Sequence, residues 1–214
     1  MDLEAIKGFA KAILKEDATG HDWQHALRVE ANAQKIYPPE LKKEEVDIIR
    51  AASWLHDTID EKLAATQRQD VATIEKLLLN NGATREQTSQ TLFIMQNLSY
   101  SKNLEQKIDL SLLGQIVQDA DRLDAIGAIG IARAFYYGGS QGEALYNEEK
   151  ARTVADLTSE NYRDNSSVLN HFYEKLLLLK EQMNTEAGRQ EAERRTKFME
   201  QFITQFYREI DALH

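Results

Sequence analysis

The chain has 214 residues, of which 42% are hydrophobic and 29% are charged. This balance is typical of a folded globular protein and argues against a disordered or fibrous chain. The sequence has no run of roughly 18 apolar residues, and its N-terminus lacks the basic and then apolar layout of a signal peptide. We therefore expect a cytoplasmic protein that neither crosses nor binds a membrane.

Cysteine content and net charge limit the chemistry further. The absence of cysteine excludes disulfides, thiolate metal sites and cysteine nucleophiles, so any metal ion must be held by imidazole and carboxylate groups. With 26 basic and 35 acidic side chains, the formal net charge is −9. The average field of such a protein repels long nucleic acids, whereas a small anion with its own metal ion can still bind.

The first half of the chain has the pattern of amphipathic helices. The only two prolines are adjacent and glycine occurs 10 times, which suits long helices. Apolar residues recur about every 3.6 positions in the segments 6–14, 46–52 and 71–78. The capping-box pattern Thr84-Arg85-Glu86-Gln87 follows a helix stop at Asn81-Gly82 and predicts a helix from Arg85 to about Asn97.

The second half continues the helical pattern. A helix is predicted around residues 112–117, and two more follow in the last third, both packing apolar residues into the core. Their core residues are Leu169, Phe172, Leu176 and Leu177 in one helix and Phe198, Phe202, Phe206 and Ile210 in the other. Loops are predicted at residues 36–42, 57–67, 98–109 and 137–152, none of them a convincing domain linker. The sequence therefore predicts an all-α protein with one domain over residues 1–214.

Individual aromatic residues and glycines also have structural interpretations. Trp23 and Trp54 could stack on a nucleobase, but aromatic residues beside apolar helix faces are more often core. Gly138-Gly139 does not follow a strand, so it is not a dinucleotide fingerprint. Close helix packing and a turn explain this pair better.

The histidines and a group of aspartates are candidates for chemistry. The five histidines are His21, His25, His56, His171 and His214. Of these, His25 lies on a helix that is predicted to begin near Asp22, and His56 precedes Asp57 at the end of another helix. The segment 118–124 adds three carboxylates within six residues.

These groups can form a metal site if three helices bring them together. Adjacent residues diverge by about 100° on a helix, but both can reach an ion that lies off the end of that helix. One histidine from a second helix and one carboxylate from a third complete a set of two imidazoles and two carboxylates. This set suits Mn²⁺, Fe²⁺, Ni²⁺, Co²⁺ or Mg²⁺, and its open positions can hold a phosphoryl oxygen and a water.

These residues resemble the H…HD…D pattern of the HD-domain metal-dependent phosphohydrolases. The resemblance includes the segments 20–29, 51–57, 118–130 and 170–176, and it covers nearly the whole chain. It is strongest to a small bacterial subgroup that is similar to nucleoside triphosphate pyrophosphohydrolases. It implies a helical HD-domain fold with a motif-bearing core at about residues 20–135, which C-terminal helices at about residues 165–212 complete.

The resemblance assigns ligands residue by residue. The implied metal ligands are His25, His56, Asp57 and Asp121. The family's H-x-x-R-V form favours His25 over His21. Its Asp-Ala-Asp-[Lys/Arg]-Leu-Asp run favours Asp121 over Asp119 and Asp124. Both sets of alternatives remain open from the sequence.

The resemblance also indicates the number of metal ions. Members with two metals have additional histidines between the doublet and the last aspartate, whereas this chain has none between Asp57 and His171. One divalent ion per chain is therefore implied, with Mn²⁺ placed ahead of Mg²⁺, Ni²⁺, Co²⁺ and Fe²⁺.

Further residues are candidates for catalysis and for substrate binding. Asp60 follows Asp57 by three residues, where other HD enzymes place a group that orients or deprotonates the attacking water, and Glu61 is its substitute. The candidates for binding the phosphates are Lys62, Arg122, His171 and Lys175.

The implied reaction is hydrolysis of a (deoxy)nucleoside triphosphate to monophosphate and pyrophosphate by a metal-activated water. One alternative is a nucleoside monophosphate phosphatase or another phosphoester hydrolase. The other is a metal-bound module that binds nucleotides or signals without turnover. We expect a nucleotide as the partner, no long nucleic acid, and a monomer or a homodimer.

Overall fold

A computed structural model describes residues 1–15, 22–59, 68–98, 108–152 and 167–211. Every regular element in these ranges is helical, which confirms the all-α prediction. The α-helices are α1 (Leu3–Leu14), α2 (Trp23–Ile36), α3 (Lys43–Leu55), α4 (Val71–Asn80), α5 (Arg85–Asn97), α6 (Leu112–Asp124), α7 (Gly127–Gln141), α8 (Val168–Glu174) and α9 (Glu186–Asp211). Two 3-10 helices cover His56–Ile59 and Leu176–Gln182. None of the described helices is both long enough and apolar enough to cross a membrane.

The chain divides into two compact units, Met1–Asp121 and Arg122–His214. In the first unit, α3 is the central helix and packs against α1, α2 and α5. Its buried face includes Trp54 and Leu55, which pack in a cluster with apolar residues of α1, α2 and α4. Trp23 and Trp54 both lie in this core, as the sequence predicted. The organisation of residues 1–214 as one domain stays a prediction.

Local side-chain caps explain where several helices of the first unit begin. The Asp22 carboxylate accepts from the His25 backbone N–H at 2.7 Å and so fixes the start of α2. The Thr84 hydroxyl accepts from the Gln87 N–H at 3.1 Å, while the Gln87 side chain accepts from the Thr84 N–H at 2.9 Å. This reciprocal pair is a capping box, and α5 has the bounds that the sequence predicts.

In the second unit, α9 packs against α7 and the 3-10 helix Leu176–Gln182. Phe135 of α7 lies within 6.1 Å, between ring centroids, of Phe172, Phe202 and Phe206. These half-buried and buried rings join α7, α8 and α9 through edge and stacked contacts. Phe172, Phe202 and Phe206 of the last third are thus structural.

Three sequence predictions about the second unit are wrong. The helix predicted through Leu169 and Leu177 ends at Glu174, because Lys175 leaves the helical conformation and a 3-10 helix follows. The loop predicted from residue 137 begins later, since α7 continues to Gln141 and ends on Gly142 with a left-handed φ of 73°. Phe198 is 49% exposed and is not part of the core.

Close packing explains one glycine of α7 well. A Cβ at Gly138 would stand 2.4 Å from Cγ2 of Val168, so only glycine lets α7 and α8 approach this closely. The helix-packing interpretation of Gly138 is therefore confirmed, whereas the turn lies at Gly142.

Candidate active site

The candidate site lies within the first unit, and α2 supplies its first residue. His25 is in the first turn of α2, where the Asp22 cap fixes the backbone. Its side chain is only 2% exposed, so the imidazole is directed into the unit. Nε2 of His25 lies 3.3 Å from Nε2 of His56.

The end of α3 supplies the second and third residues. After Leu55 the chain tightens into the 3-10 helix His56–Ile59, which the Thr58 hydroxyl supports by donating to the Leu55 carbonyl at 2.6 Å. Oδ2 of Asp57 lies 3.3 Å from Nε2 of His56 and 3.3 Å from Nε2 of His25. The tight turn therefore allows two adjacent residues to reach one point, as the sequence argument requires.

The tautomer of His56 follows from its second nitrogen. Nδ1 of His56 lies 3.0 Å from the carbonyl oxygen of Ser53, which can only accept a hydrogen bond. In the neutral imidazole the proton is therefore on Nδ1, and Nε2 carries a lone pair. A backbone carbonyl that fixes a histidine in this way is a common partner of metal-binding imidazoles.

The last turn of α6 supplies the fourth residue. Oδ1 of Asp121 lies 3.3 Å from Nε2 of His25 and 3.8 Å from Nε2 of His56. The Asp121 side chain is 34% exposed, whereas those of His25, His56 and Asp57 are buried. Solvent and small molecules can therefore reach the group from the Asp121 side.

The spacing of these donor atoms fits one metal ion. Four donors at about 2.1 Å from an ion stand about 3.0 Å apart along octahedral edges and about 3.4 Å apart along tetrahedral edges. Three of the separations between carboxylate oxygens and imidazole nitrogens are 3.3 Å and lie between these two values, whereas the 3.8 Å between Oδ1 of Asp121 and Nε2 of His56 is longer than both. His25, His56 and Asp121 form a group that could hold a metal ion, and Asp57 adds a donor 3.3 Å from both imidazoles.

Electrostatics keep the Asp121 carboxyl in its charged form. Partial burial would raise its pKa, but the hydrogen bond with His25 and the charges that His56 and His25 carry when protonated outweigh burial and leave the pKa well below its usual range. The group is therefore a carboxylate at neutral pH, which is the form that binds a cation.

The structure describes two of the three alternative ligands. Asp119 is fully buried and precedes Asp121 by two residues. Asp124 belongs to the second unit, where its carboxylate pairs with Arg133 at 2.7 Å. His21 lies outside the described residues, as do Asp60, Glu61 and Lys62, so their roles stay predictions.

The other predicted substrate-binding residues lie in the second unit. Arg122 directly follows Asp121, and one of its guanidinium nitrogens donates to the carbonyl of Gln182. His171 lies on α8 and Lys175 directly follows the end of that helix, where the Lys175 N–H donates to the His171 carbonyl at 3.1 Å. Their predicted contact with a substrate stays a prediction.

His171 has an unusual electrostatic setting. Burial and the positive charge of Lys175 lower its pKa to about 3, against the opposing effect of Glu174. The imidazole is therefore neutral at pH 7. It can exchange hydrogen bonds with a ligand, but it adds no positive charge.

Sequence reasoning missed two supports of the site. The Ser53 carbonyl is a backbone group, and no sequence signal identifies it. Asn32 lies seven residues after His25 on the same face of α2, and its amide donates to the Ala120 carbonyl at 3.2 Å. The spacing of Asn32 from His25 was the available signal, but an asparagine in a helix has many ordinary explanations.

Comparisons with known proteins extend over nearly the whole chain. No protein-family model matches it. The chain is 37% identical over 211 residues to the uncharacterized protein YpgQ of Bacillus subtilis, which covers 98% of this chain and 94% of YpgQ. The crystal structure of YpgQ in complex with ADP matches with a TM-score of 0.77 at 34% identity, covering 97% of this chain and 94% of that one.

Two further crystal structures are similar. A protein of Lactobacillus plantarum is 40% identical with a TM-score of 0.80, covering 98% of this chain and 97% of its own. An HD-superfamily hydrolase of Bacillus thuringiensis is 39% identical with a TM-score of 0.74, covering 98% of this chain and 97% of its own. With its helical fold and its histidine–aspartate group, the chain belongs to the HD superfamily of metal-dependent phosphohydrolases.

Proposed function

We propose that this enzyme hydrolyses nucleoside triphosphates to monophosphate and pyrophosphate, with one divalent ion per chain, first of all Mn²⁺. The observation that carries the proposal is the convergence of two imidazole nitrogens and two carboxylate oxygens at 3.3 to 3.8 Å. This donor set favours a hard or borderline cation and leaves coordination positions for oxygen ligands.

Four residues would hold the ion. The two carboxylates of Asp57 and Asp121 neutralise its charge, while His25 and His56 present neutral imidazole nitrogens. A divalent ion in such a site acts as a Lewis acid toward phosphoryl oxygens and lowers the pKa of a bound water. Because Asp121 is the most exposed of the four residues, we place the substrate on its side of the group.

The remaining predicted residues would orient water and phosphates. Asp60, with Glu61 as its substitute, takes the proton of the attacking water. Water oxygen bonds to the α-phosphorus, the bond from that phosphorus to the bridging oxygen breaks, and pyrophosphate leaves. Lys62, Arg122 and Lys175 contribute positive charge toward the phosphates of the substrate, and the neutral His171 contributes a hydrogen bond.

The nucleotide class is supported by a relative. The YpgQ crystal structure contains ADP, so a protein 34% identical to this chain binds an adenine nucleotide. We extend nucleotide binding to this chain because the match covers nearly the whole of both proteins. The preference for triphosphate rests on the subgroup resemblance of the sequence motifs.

The experiment is a nucleotide panel with the purified chain, with Mn²⁺ and Mg²⁺ in parallel and with pyrophosphate separated from orthophosphate. Reaction in ¹⁸O-labelled water identifies the phosphorus that is attacked, because the label enters the monophosphate only if water attacks the α-phosphorus. The isosteric variant Asp57→Asn is the control for contaminating hydrolases. We expect labelled monophosphate and unlabelled pyrophosphate.

The other outcomes separate the alternatives. Orthophosphate alone, released from monophosphates, would replace the proposal with a phosphatase. Bound metal without any product across nucleotides and other phosphoesters would indicate a binding module. Arg122→Ala should raise KM for triphosphates more than for monophosphates, and equal effects on both would remove Arg122 from the binding of the phosphate tail.

A further inference from the structure

Helix α2 is joined to α6 at two points. The first is the candidate metal group itself, where Nε2 of His25 lies 3.3 Å from Oδ1 of Asp121. The second is the bond from the Asn32 side-chain amide to the Ala120 carbonyl, at 3.2 Å. Seven residues along α2 separate His25 from Asn32, which is about two turns and roughly 10 Å. Both side chains therefore lie on the face of α2 that is directed toward α6.

The Asn32 bond acts next to a candidate ligand. Ala120 immediately precedes Asp121 in α6 and is fully buried, and Asn32 is 5% exposed. A hydrogen bond in such a setting is strong, and its loss leaves a buried polar group without its partner. The bond therefore fixes the position of the α6 backbone relative to α2 at the residue before Asp121.

Helix α3 is attached to α2 independently. Nε of Arg50 lies 2.9 Å from Oε1 of Glu30, and the Arg50 guanidinium lies 5.0 Å from the ring centre of the buried Trp54. This attachment fixes α2 relative to the helix that ends at His56. Asn32 therefore affects the distance between His25 and Asp121 rather than the positions of all four residues of the group.

We propose that Asn32 is a positioning residue that sets the distance between His25 and Asp121 and thereby the affinity of the site for its metal ion. The inference rests on the proposed metal site. A metal ion requires its donors within about 0.2 Å of the appropriate distances, so a small shift of α6 changes affinity while the helices remain folded. Groups that orient metal ligands typically change metal affinity by about 10- to 100-fold when they are removed.

The test is titration of the purified apo chain with Mn²⁺ alone, following the free ion by electron paramagnetic resonance. The variant Asn32→Leu keeps the branching and the number of side-chain heavy atoms and removes the amide donor. We expect it to bind Mn²⁺ about 10-fold more weakly than the natural chain. Asn32→Ala, which adds no steric demand, gives the same test if leucine prevents folding.

Asn170→Leu is the matched control. The Asn170 amide also donates to a backbone carbonyl, that of Glu149, at 3.1 Å, and Asn170 is 6% exposed. Its bond lies in the second unit and joins no candidate ligand. Asn170→Leu is expected to lower Tm about as much as Asn32→Leu but to leave the Mn²⁺ affinity unchanged.

A double-mutant cycle with Asp121→Glu, which keeps a carboxylate but moves it, tests the route of the effect. If Asn32 acts through Asp121, Asn32→Leu should weaken Mn²⁺ binding less in the Asp121→Glu background than in the natural chain.

Three results would overturn the inference. They are natural affinity in both Asn32 variants, an equal loss of affinity in Asn170→Leu, and full additivity in the cycle. If the natural chain itself binds no Mn²⁺, the proposed metal site fails and the inference fails with it. Metal binding by the natural chain together with unaffected Asn32 variants would instead refute the role of Asn32 alone.

Discussion

The carboxylates of the candidate site have partners that differ from those of other buried acids. Three buried acids outside the site pair with arginine, one of them Glu30 with Arg50 at 2.9 Å in the first unit. In the second unit, Asp124 pairs with Arg133 at 2.7 Å and Glu174 pairs with Arg152 at 2.7 Å. A guanidinium carries its charge at every physiological pH, so these pairs are permanently neutralised. In the first unit, Asp57 and Asp121 contact the imidazoles of His25 and His56, whose charge depends on protonation.

This difference separates a structural ion pair from a candidate metal site. Arginine provides five donors in fixed directions and leaves a carboxylate with little capacity for a cation. A neutral imidazole has its own lone pair, so two imidazoles and two carboxylates together form a set of donors for a metal ion. The predictions below test whether the two kinds of buried acid behave differently.

The largest effect is expected from Asp57→Ala. Removing this carboxylate should eliminate the bound metal and lower turnover about 1000-fold, equivalent to about 4 kcal/mol of transition-state stabilisation. Helicity should be retained, as circular dichroism can check. The measurements are metal content by elemental analysis and turnover on the substrate that the nucleotide panel identifies.

Asp124→Ala is the matched control for Asp57→Ala, since it also removes a buried aspartate but one that pairs with arginine. It is expected to reduce stability while metal content is retained. Full activity in Asp57→Ala, or loss of metal in Asp124→Ala, would contradict the assignment of the ligands.

Removing one partner of the second-unit ion pair should cost stability rather than metal. Arg152→Ala leaves Glu174, whose side chain is 2% exposed, without the guanidinium that compensates its charge. The expected loss is about 3 kcal/mol in the free energy of unfolding, measured by urea denaturation. Arg194→Ala removes an exposed partner of Glu191 and should cost no more than about 1 kcal/mol. Equal losses in the two variants would show that burial does not decide the strength of these pairs.

Metal binding should stabilise the folded chain. At a Mn²⁺ concentration about 100 times its Kd, mass action adds about 2.7 kcal/mol, which thermal unfolding detects as a higher Tm. A chelator should reverse the increase, and Asp57→Ala should not show it. An equal increase of Tm in Asp57→Ala would place the ion elsewhere.

The smallest effect concerns pH and His171. The pKa of this half-buried histidine is lowered to about 3 in the folded chain, whereas an unfolded histidine has a pKa of about 6.5. Between these values the unfolded chain binds more protons, so stability falls as the pH decreases from 6.5 toward 3. Between pH 7.5 and 5.5 the loss should be about 1 kcal/mol, and His171→Asn should not show this part of it. Parallel pH curves for both chains would contradict the lowered pKa of His171.

Local rules were sufficient where a few neighbouring residues determine the structure. The capping box of Thr84 and Gln87 and the cap of Asp22 are interactions over two or three residues, and both helices begin as the sequence predicts. The same rules failed at Lys175, because neither proline nor glycine marks the end of α8 there. The need for glycine at position 138 of α7 likewise depends on Val168 of another helix, which no local pattern indicates.

The sequence by itself determined the helical class of this protein, the absence of any thiolate chemistry and the motif residues of its superfamily. These follow from composition, from periodicity and from short patterns in which residue type decides the chemistry. Only the tertiary structure decided that His25, His56, Asp57 and Asp121 converge, and that Asp124 pairs with Arg133 instead. It also decided that Asn32 supports the site, because the bond from its amide to the Ala120 carbonyl depends on the packing of α2 against α6. A distance between residues far apart in the chain is a property of that packing, which no local pattern encodes.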